Sequence, residues 1–193
     1  MKRLTIGFLV IALFFTTCLN AFSQHINGDD MEIIKDYKPD DKYFKAGLVS
    51  LHFIIETSSI DRVDSVFQQL IDAYKLPSKA DGIKDGVYTG ASPYDAFDYK
   101  HVVELEIKDG KIISIDYNEV HKSGRGKQED KAYCEEMSIT GTTPAIAYPN
   151  MEQQLLAKQD MLQVDGVSGA SYSLYRFRYA ITIALIKAIL NNK

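Results

Sequence analysis

One run of small residues stands directly before a long apolar segment near the end of the chain. It covers residues 165–171 and has the sequence Asp-Gly-Val-Ser-Gly-Ala-Ser. At the start of a helix the first backbone N–H groups lack partners and lie at the positive end of the helix dipole, so such a turn is a ready phosphate site. A tight turn in which Ser171 or Ser173 caps the helix explains the same residues without any ligand. The run alone does not decide between the two.

The order of residue types in this run resembles the attachment motif of the FMN-binding domain family, Asp-x-x-Ser/Thr-Gly-Ala-Ser/Thr. Asp165, Ser168, Gly169, Ala170 and Ser171 match that motif in order. In this family the last hydroxyl of the motif receives FMN as a phosphoester. The resemblance therefore implies that Ser171 carries covalent FMN and that the other four residues belong to the cofactor-binding turn.

The resemblance covers about residues 82–190. It is strongest to domains of exported electron-transfer flavoproteins, related to subunits of Rnf and Na⁺-translocating quinone reductase complexes, and to surface flavin lipoproteins. Two residues depart from the family pattern: Ser171 stands where many relatives have Thr, and Leu174 replaces a more usual polar residue. The pair Tyr172-Ser173 matches the pattern, which makes Ser173 a cofactor-binding candidate. The matching segments are an opening strand, a hairpin, a basic glycine loop, an acidic helix and the helix before the motif: residues 85–90, 107–112, 124–127, 129–133 and 147–159.

A bound flavin ring needs a flat apolar or aromatic wall and a few polar groups at its edge. Among the twelve tyrosines we rank Tyr99, Tyr133 and Tyr148 first as wall residues, because they lie in the segments that resemble the family. Lys127 is a candidate for a cation near the ring edge, and a solvated loop lysine is the equal alternative. The resemblance also implies partners. These are a flavin transferase that attaches FMN, an electron donor and an electron acceptor, and the membrane is one place where the donor and acceptor could lie.

Other chemistries find less support in the sequence. The segment 89–92, Thr-Gly-Ala-Ser, repeats part of the motif, but Pro93 follows it, so we interpret Ser92 as part of a strand-to-loop turn. The run that ends at Ser171 lacks the final glycine of a serine hydrolase elbow. We interpret His52 as a core histidine of an amphipathic helix, and we predict no metal site and no catalytic residue.

Apolar periodicity predicts the elements that position these residues. Apolar spacings of three and four predict helices, alternation predicts strands, and Asp109-Gly110 is a strong hairpin signal. Residues 24–41 are predicted to be irregular. We expect strands at 86–90, 100–107 and 111–117, and helices at 42–56, from Ser58 or Ser59 to Pro77, at 128–137, from Asn150, and at 172–190, the last with one apolar face across the sheet.

These elements predict an α+β fold in which an antiparallel sheet packs against the C-terminal helix, with an added N-terminal helical pair. The predicted boundaries are a signal peptide at 1–23, a helical extension at 24–81 and the FMN-binding domain at 82–193. The helical pair is too small to form a core of its own. We therefore expect it to dock on the sheet face that the C-terminal helix leaves free, or on the same face of another copy.

The first residues predict export. Lys2 and Arg3 precede an apolar run, and the small residues that follow predict cleavage before Gln24. We favour a soluble periplasmic or cell-surface protein over a lipid anchor at Cys18, because the preceding residues fit a lipobox poorly. Without Lys2 and Arg3 the chain has 20 basic and 26 acidic residues, a net charge of −6, which argues against a nucleic-acid partner.

The sequence therefore predicts an exported carrier of covalent FMN that transfers electrons between redox partners, rather than an enzyme with its own substrate. A secreted binding or structural module that keeps the fold and carries no flavin is the alternative.

Overall fold

A computed structural model of the chain describes residues 29–191. The predicted cleavage site before Gln24 and the alternative anchor at Cys18 lie outside the described residues. The helices are α1 (Asp29–Ile34), α2 (Phe44–Thr57), α3 (Ile60–Tyr74), α4 (Lys131–Met137), α5 (Pro144–Lys158) and α6 (Ser171–Asn191); the strands are β1 (Gly86–Ala91), β2 (Tyr99–Lys108) and β3 (Lys111–His121). Short 3₁₀ turns occur at Lys35–Tyr37, Lys127–Glu129, Ser138–Thr140 and Met161–Gln163.

The strands form one antiparallel sheet in the order β1-β2-β3. Asp109 and Gly110 connect β2 and β3 with φ angles of 52° and 69°, the left-handed conformation that a tight two-residue hairpin requires. The predicted α+β fold with its antiparallel sheet, C-terminal helix and N-terminal helical pair is confirmed.

Helices cover one face of the sheet. His101, Val103, Leu105 and Ile107 alternate along β2 and are all buried beneath this helical layer. Helix α6 packs against β1 and β2, while α5 packs against β3. Helix α6 approaches β1 so closely that a Cβ atom at Gly90 would overlap its backbone.

The N-terminal helices dock on α6 and not on the free face of the sheet. The Tyr179 hydroxyl donates to the Leu48 carbonyl at 3.2 Å, and the Tyr175 hydroxyl donates to Asp64 Oδ1 at 2.8 Å. The expected docking on the free sheet face is therefore wrong. That face carries exposed charged side chains such as Glu104 and Glu106, which would lose their hydration under a helix.

Other predictions for the helices are also wrong. Residues 29–34 form α1 within the segment expected to be irregular. Helix α5 begins at Pro144, where proline's fixed φ favours the first turn, and it continues through Pro149 past the start predicted at Asn150. The segment expected as one helix at 128–137 is divided into a 3₁₀ turn and α4 by Asp130, whose Oδ1 accepts the Tyr133 N–H at 3.2 Å.

Helix α6 is buried on nearly all sides, although its apolar spacing predicts one apolar face. Its buried residues include Phe177, Tyr179, Ile183 and Leu185, which are not confined to one side of the helix. The sheet covers one side and the N-terminal helices cover another, which places α6 in the middle of the molecule. None of the described helices is long and apolar enough to cross a membrane.

Candidate functional site

The turn before α6 holds Ser171 at the first position of that helix. The Ala170 N–H donates to the Val167 carbonyl at 2.8 Å, and Gly169 adopts a φ of 82°, which favours glycine. A Cβ on Gly169 would lie 3.0 Å from Thr140 Oγ1, so the turn packs tightly against the end of the 3₁₀ turn Ser138–Thr140. Ser171 itself is exposed. The turn thus presents a free hydroxyl at the positive end of a 21-residue helix.

A pocket of about 250 Å³ opens beside this hydroxyl, and we call it the Ser171 pocket. One wall is the start of α6 with the turn before it, and the other wall comes from α4 and α5. Its lining residues are Tyr133, Met137, Pro144, Ala147, Tyr148, Gly169, Ala170, Ser171, Tyr172, Ser173 and Arg176. Six of the ten residues predicted from sequence therefore meet here: Gly169, Ala170, Ser171, Ser173, Tyr133 and Tyr148.

The other four predicted residues do not line the pocket. Asp165 is exposed, its carboxylate pairs with Lys158 Nζ at 2.6 Å, and this ion pair holds the pKa of Asp165 below its usual value. Ser168 is exposed on the turn. Lys127 Nζ lies 5.0 Å from the centre of the Tyr99 ring and 4.6 Å from the centre of the Tyr133 ring, so Lys127 contacts one pocket residue without lining the pocket.

A buried ionic group stands behind the pocket, and we call it the Glu119 network. The Glu119 side chain is completely buried, and its Oε2 lies 2.6 Å from Lys127 Nζ and 3.5 Å from an Arg176 Nη1. Its Oε1 accepts the Tyr148 hydroxyl at 2.7 Å. Lys127 is therefore a buried partner of Glu119, and the alternative of a solvated loop lysine is wrong.

Charge pairing decides the protonation of this network. Burial alone would raise the pKa of Glu119, but the basic groups of His101, Arg176 and Lys127 outweigh it and lower the pKa to about 2. Burial and the Glu119 charge raise the pKa of Tyr148 far above its usual value. Glu119 is thus an anion and Tyr148 a neutral hydrogen-bond donor. The hydrogen bond between them holds the Tyr148 side chain in its position in the pocket wall.

Arg176 connects the pocket to the N-terminal helices. Its Nε donates to Glu56 Oε1 at 2.9 Å and its Nη2 donates to Glu56 Oε2 at 2.6 Å. His101 Nε2 lies 3.2 Å from Glu56 Oε1. Glu56 belongs to α2, which the family resemblance does not cover, so the helical pair supplies a charge to the surroundings of the pocket.

Sequence reasoning missed Glu56, Glu119 and Arg176. A signal existed for two of them: Glu56 follows His52 by four residues on a helix, and Glu119 shares the inward-facing side of β3 with Tyr117. An acidic residue in an inward row needs a buried partner. Arg176 lies on a predicted helix, and nothing in the local sequence marks its side chain as part of a pocket.

The partial repeat of the motif at residues 89–92 does not present a free hydroxyl. Ser92 is buried, its Oγ donates to the Pro93 carbonyl at 2.7 Å, and it accepts the His101 N–H at 2.9 Å. Strand β1 ends at Ala91, as a strand-to-loop turn requires.

The architecture defines an α+β domain with a pocket where its central helix begins, and comparison with known proteins places it in a family. No protein-family model matches the chain. The 15 kDa lipoprotein of Treponema pallidum (strain Nichols) is 32% identical over 98 residues, which are 50% of this chain and 70% of that protein. The chain belongs to the family of this lipoprotein.

A solved structure shares the fold over part of the chain. The CPE2226 protein of Clostridium perfringens is 34% identical and superimposes with a TM-score of 0.52, over 55% of this chain and 89% of its own. A protein of Clostridium thermocellum solved in solution is 24% identical, with a TM-score of 0.31 over 49% of this chain and 88% of its own. The second superposition is too poor to carry an argument.

Proposed function

We propose that this protein carries FMN covalently on Ser171 and passes electrons between redox partners. The observation that supports this most is the position of Ser171, an exposed residue at the start of α6 that lines the Ser171 pocket. A phosphoester needs an accessible hydroxyl, and its phosphate is stabilised by the helix N-terminus. Both requirements meet at this residue.

The pocket residues fit the other parts of FMN. Tyr133 and Tyr148 supply aromatic surface, and Pro144 and Ala147 supply apolar surface, as a flavin ring requires. Arg176 is the cation among the lining residues. The volume of about 250 Å³ lies below the range of roughly 300–1,000 Å³ that is typical of ligand clefts and cavities. A cofactor held there by a covalent bond would stay partly exposed, which suits electron exchange with a docked protein.

We propose an electron carrier and not an enzyme with its own substrate. FMN supplies the redox chemistry when bound, while the chain positions the cofactor and tunes its surroundings through the Glu119 network. The partners would be a flavin transferase, an electron donor and an electron acceptor.

Export is the second part of the proposal. The predicted leader and the family relative that is called a lipoprotein both support it. A covalent bond also suits an exported protein, because a dissociating cofactor at low ambient concentration would be lost by mass action. The mass of the native N-terminus tests the location: a start at Gln24 indicates a soluble protein, and a diacylated Cys18 indicates a membrane-tethered one.

Intact mass spectrometry tests the flavin. Co-expression with an active flavin transferase is expected to add the mass of FMN less one water, with yellow colour that survives denaturation and desalting. Ser171→Ala is expected to lose both, and Ser171→Thr is expected to keep them because it retains the hydroxyl.

Ser173→Ala is the matched control, since Ser173 lines the same pocket two residues further along α6. It is expected to remain flavinylated. An unmodified Ser171, while a known substrate of the same transferase is modified, would contradict the proposal and favour a binding or structural module without flavin.

A further inference from the structure

A second polar cluster lies where α2 meets β2, outside the Ser171 pocket. His52 and Glu56 are one turn apart on α2, so their side chains project from the same side of that helix, and His101 belongs to the inward row of β2. One potential ligand atom from each of these residues lies within 4.8 Å of the other two. We call this group the His52 cluster.

Two imidazole nitrogens of the His52 cluster lack partners. His52 and His101 are 2% and 0% exposed. Within residues 29–191, His52 Nε2 and His101 Nδ1 are buried and have no hydrogen-bond partner. Buried polar atoms in proteins almost always have one. His101 Nε2 already faces Glu56, and the two nitrogens of one ring cannot bind the same ion, so the unpartnered His52 Nε2 is the atom that points to a bound species.

The three groups are suited to bind a cation. His52 Nε2 is buried without a partner, and a neutral imidazole offers one ring nitrogen as a metal ligand. Glu56 supplies a carboxylate whose Oε2 lies 2.6 Å from Arg176 Nη2, the spacing of an ion pair.

We infer that the His52 cluster binds a divalent first-row transition metal ion through His52, Glu56 and His101. Two imidazoles and one carboxylate suit Zn²⁺, Fe²⁺ or Mn²⁺, whereas Ca²⁺ and Mg²⁺ prefer oxygen ligands alone. His101 Nε2 and Glu56 Oε1 are 3.2 Å apart, a separation that fits two ligands at about 2.1 Å from one ion. The ion would join the helical pair to the sheet.

Arg176 limits how the ion can bind, because it already bonds both oxygens of Glu56. A metal ion needs only one carboxylate oxygen, so Oε1 can bind the ion in place of the 2.9 Å bond from Arg176 Nε, while Oε2 keeps its 2.6 Å bond from Arg176 Nη2. A donor on the free oxygen of a ligating carboxylate is a common outer-shell arrangement that orients the ligand. The positive charge of Arg176 weakens binding relative to a site without it.

Metal titration of the mature untagged chain tests the inference. After chelation and dialysis, the protein is expected to bind one Zn²⁺ or Co²⁺ per chain, with a higher melting temperature and, for Co²⁺, visible absorption bands. His52→Phe, which fills the space of the ring, and Glu56→Gln are each expected to weaken binding at least tenfold and to abolish the rise in melting temperature.

His121→Ala is the matched control, because His121 is a described histidine that lies outside the cluster and bonds Ser123. It is expected to bind metal as the native chain does. Absence of stoichiometric Zn²⁺ and Co²⁺ binding to the native chain would overturn the inference, and so would equal binding by the native chain and Glu56→Gln. Neither readout depends on flavin.

Discussion

The surroundings of the Ser171 pocket depend on individual charged residues that are buried in pairs. Glu119 has no exposed surface, and its two oxygens are bonded to Lys127 and to Tyr148. A buried ion pair gains little over an apolar pair, but removal of one partner leaves the other charge uncompensated. The Glu119 network is therefore a sensitive point of the fold.

Glu119→Gln is expected to destabilise the protein at neutral pH by roughly 3–5 kcal/mol, because Lys127 would remain buried without its partner. The substitution should also change how the free energy of unfolding falls at low pH. The native pKa of Glu119 is about 2 and its ordinary value is 4.5, so its contribution is complete above pH 4.5 and is lost as the pH falls towards 2.

Urea unfolding from pH 7 to pH 2 measures both effects. The native chain is expected to lose stability more steeply below pH 4.5 than Glu119→Gln does. Parallel curves for the two proteins would show that the carboxylate of Glu119 is not held in its charged form by the fold.

A second residue-scale prediction concerns Asp165, whose exposed side chain has no packing role. Asp165→Asn is expected to fold normally and yet to stay unflavinylated, because the carboxylate is available for recognition by the transferase. Lys158→Met breaks the same ion pair while it keeps the carboxylate, so it is the control and should be flavinylated. Circular dichroism and intact mass report folding and modification separately. If the Asp165→Asn variant is unfolded instead, the Asp165 side chain is needed to form the turn, and the recognition role is contradicted.

At the element scale, the contact between α6 and β1 depends on the absence of a side chain at Gly90. A Cβ there would meet the backbone of Ala180 and Ala184, which cannot turn aside as a flexible side chain can. Gly90→Ala is therefore expected to destabilise the protein by about 1–3 kcal/mol, the usual cost of overpacking. Thr89→Ala, at an exposed position on the same strand, should change stability little. Chemical denaturation compares them, and equal stability would show that α6 can shift at low cost.

Local sequence patterns predicted some of these elements correctly and others not. The hairpin at Asp109-Gly110 was predictable because its conformation is determined by those residues themselves. Helix α5 was placed too late because Asn150 and Gln153 fit a capping box, while Pro144 is equally good as a first residue. Ser171 was placed at a helix start from its local motif. The partners of Glu119 come from distant parts of the chain, so no local pattern identifies them.

At the scale of the whole molecule, the N-terminal helices cover the side of α6 that faces away from the sheet. Met31, Leu48, Leu51 and Phe67 are buried in the same hydrophobic core as Tyr179. Most residues of helix α6 are buried because the helix is covered from both sides, and charged members such as Arg176 and Lys187 pair with Glu56 and Asp30 of the N-terminal helices. The pocket at its first turn is therefore supported by two layers that are far apart in sequence.

Deletion of residues 24–77 is expected to cause aggregation or loss of cooperative unfolding, because it would expose the apolar outer side of α6. It would also remove Asp64 from Tyr175 and Glu56 from Arg176, so Arg176 would keep only its 3.5 Å contact with Glu119. Asp64→Asn in the full chain is the control, since it changes one polar contact between the layers and leaves the apolar contacts intact. It should remain monomeric and unfold cooperatively. Light scattering and thermal unfolding compare the three proteins. A deletion variant that stays monomeric and keeps its melting temperature would show that the fold does not need the N-terminal helices. Their role would then be partner recognition.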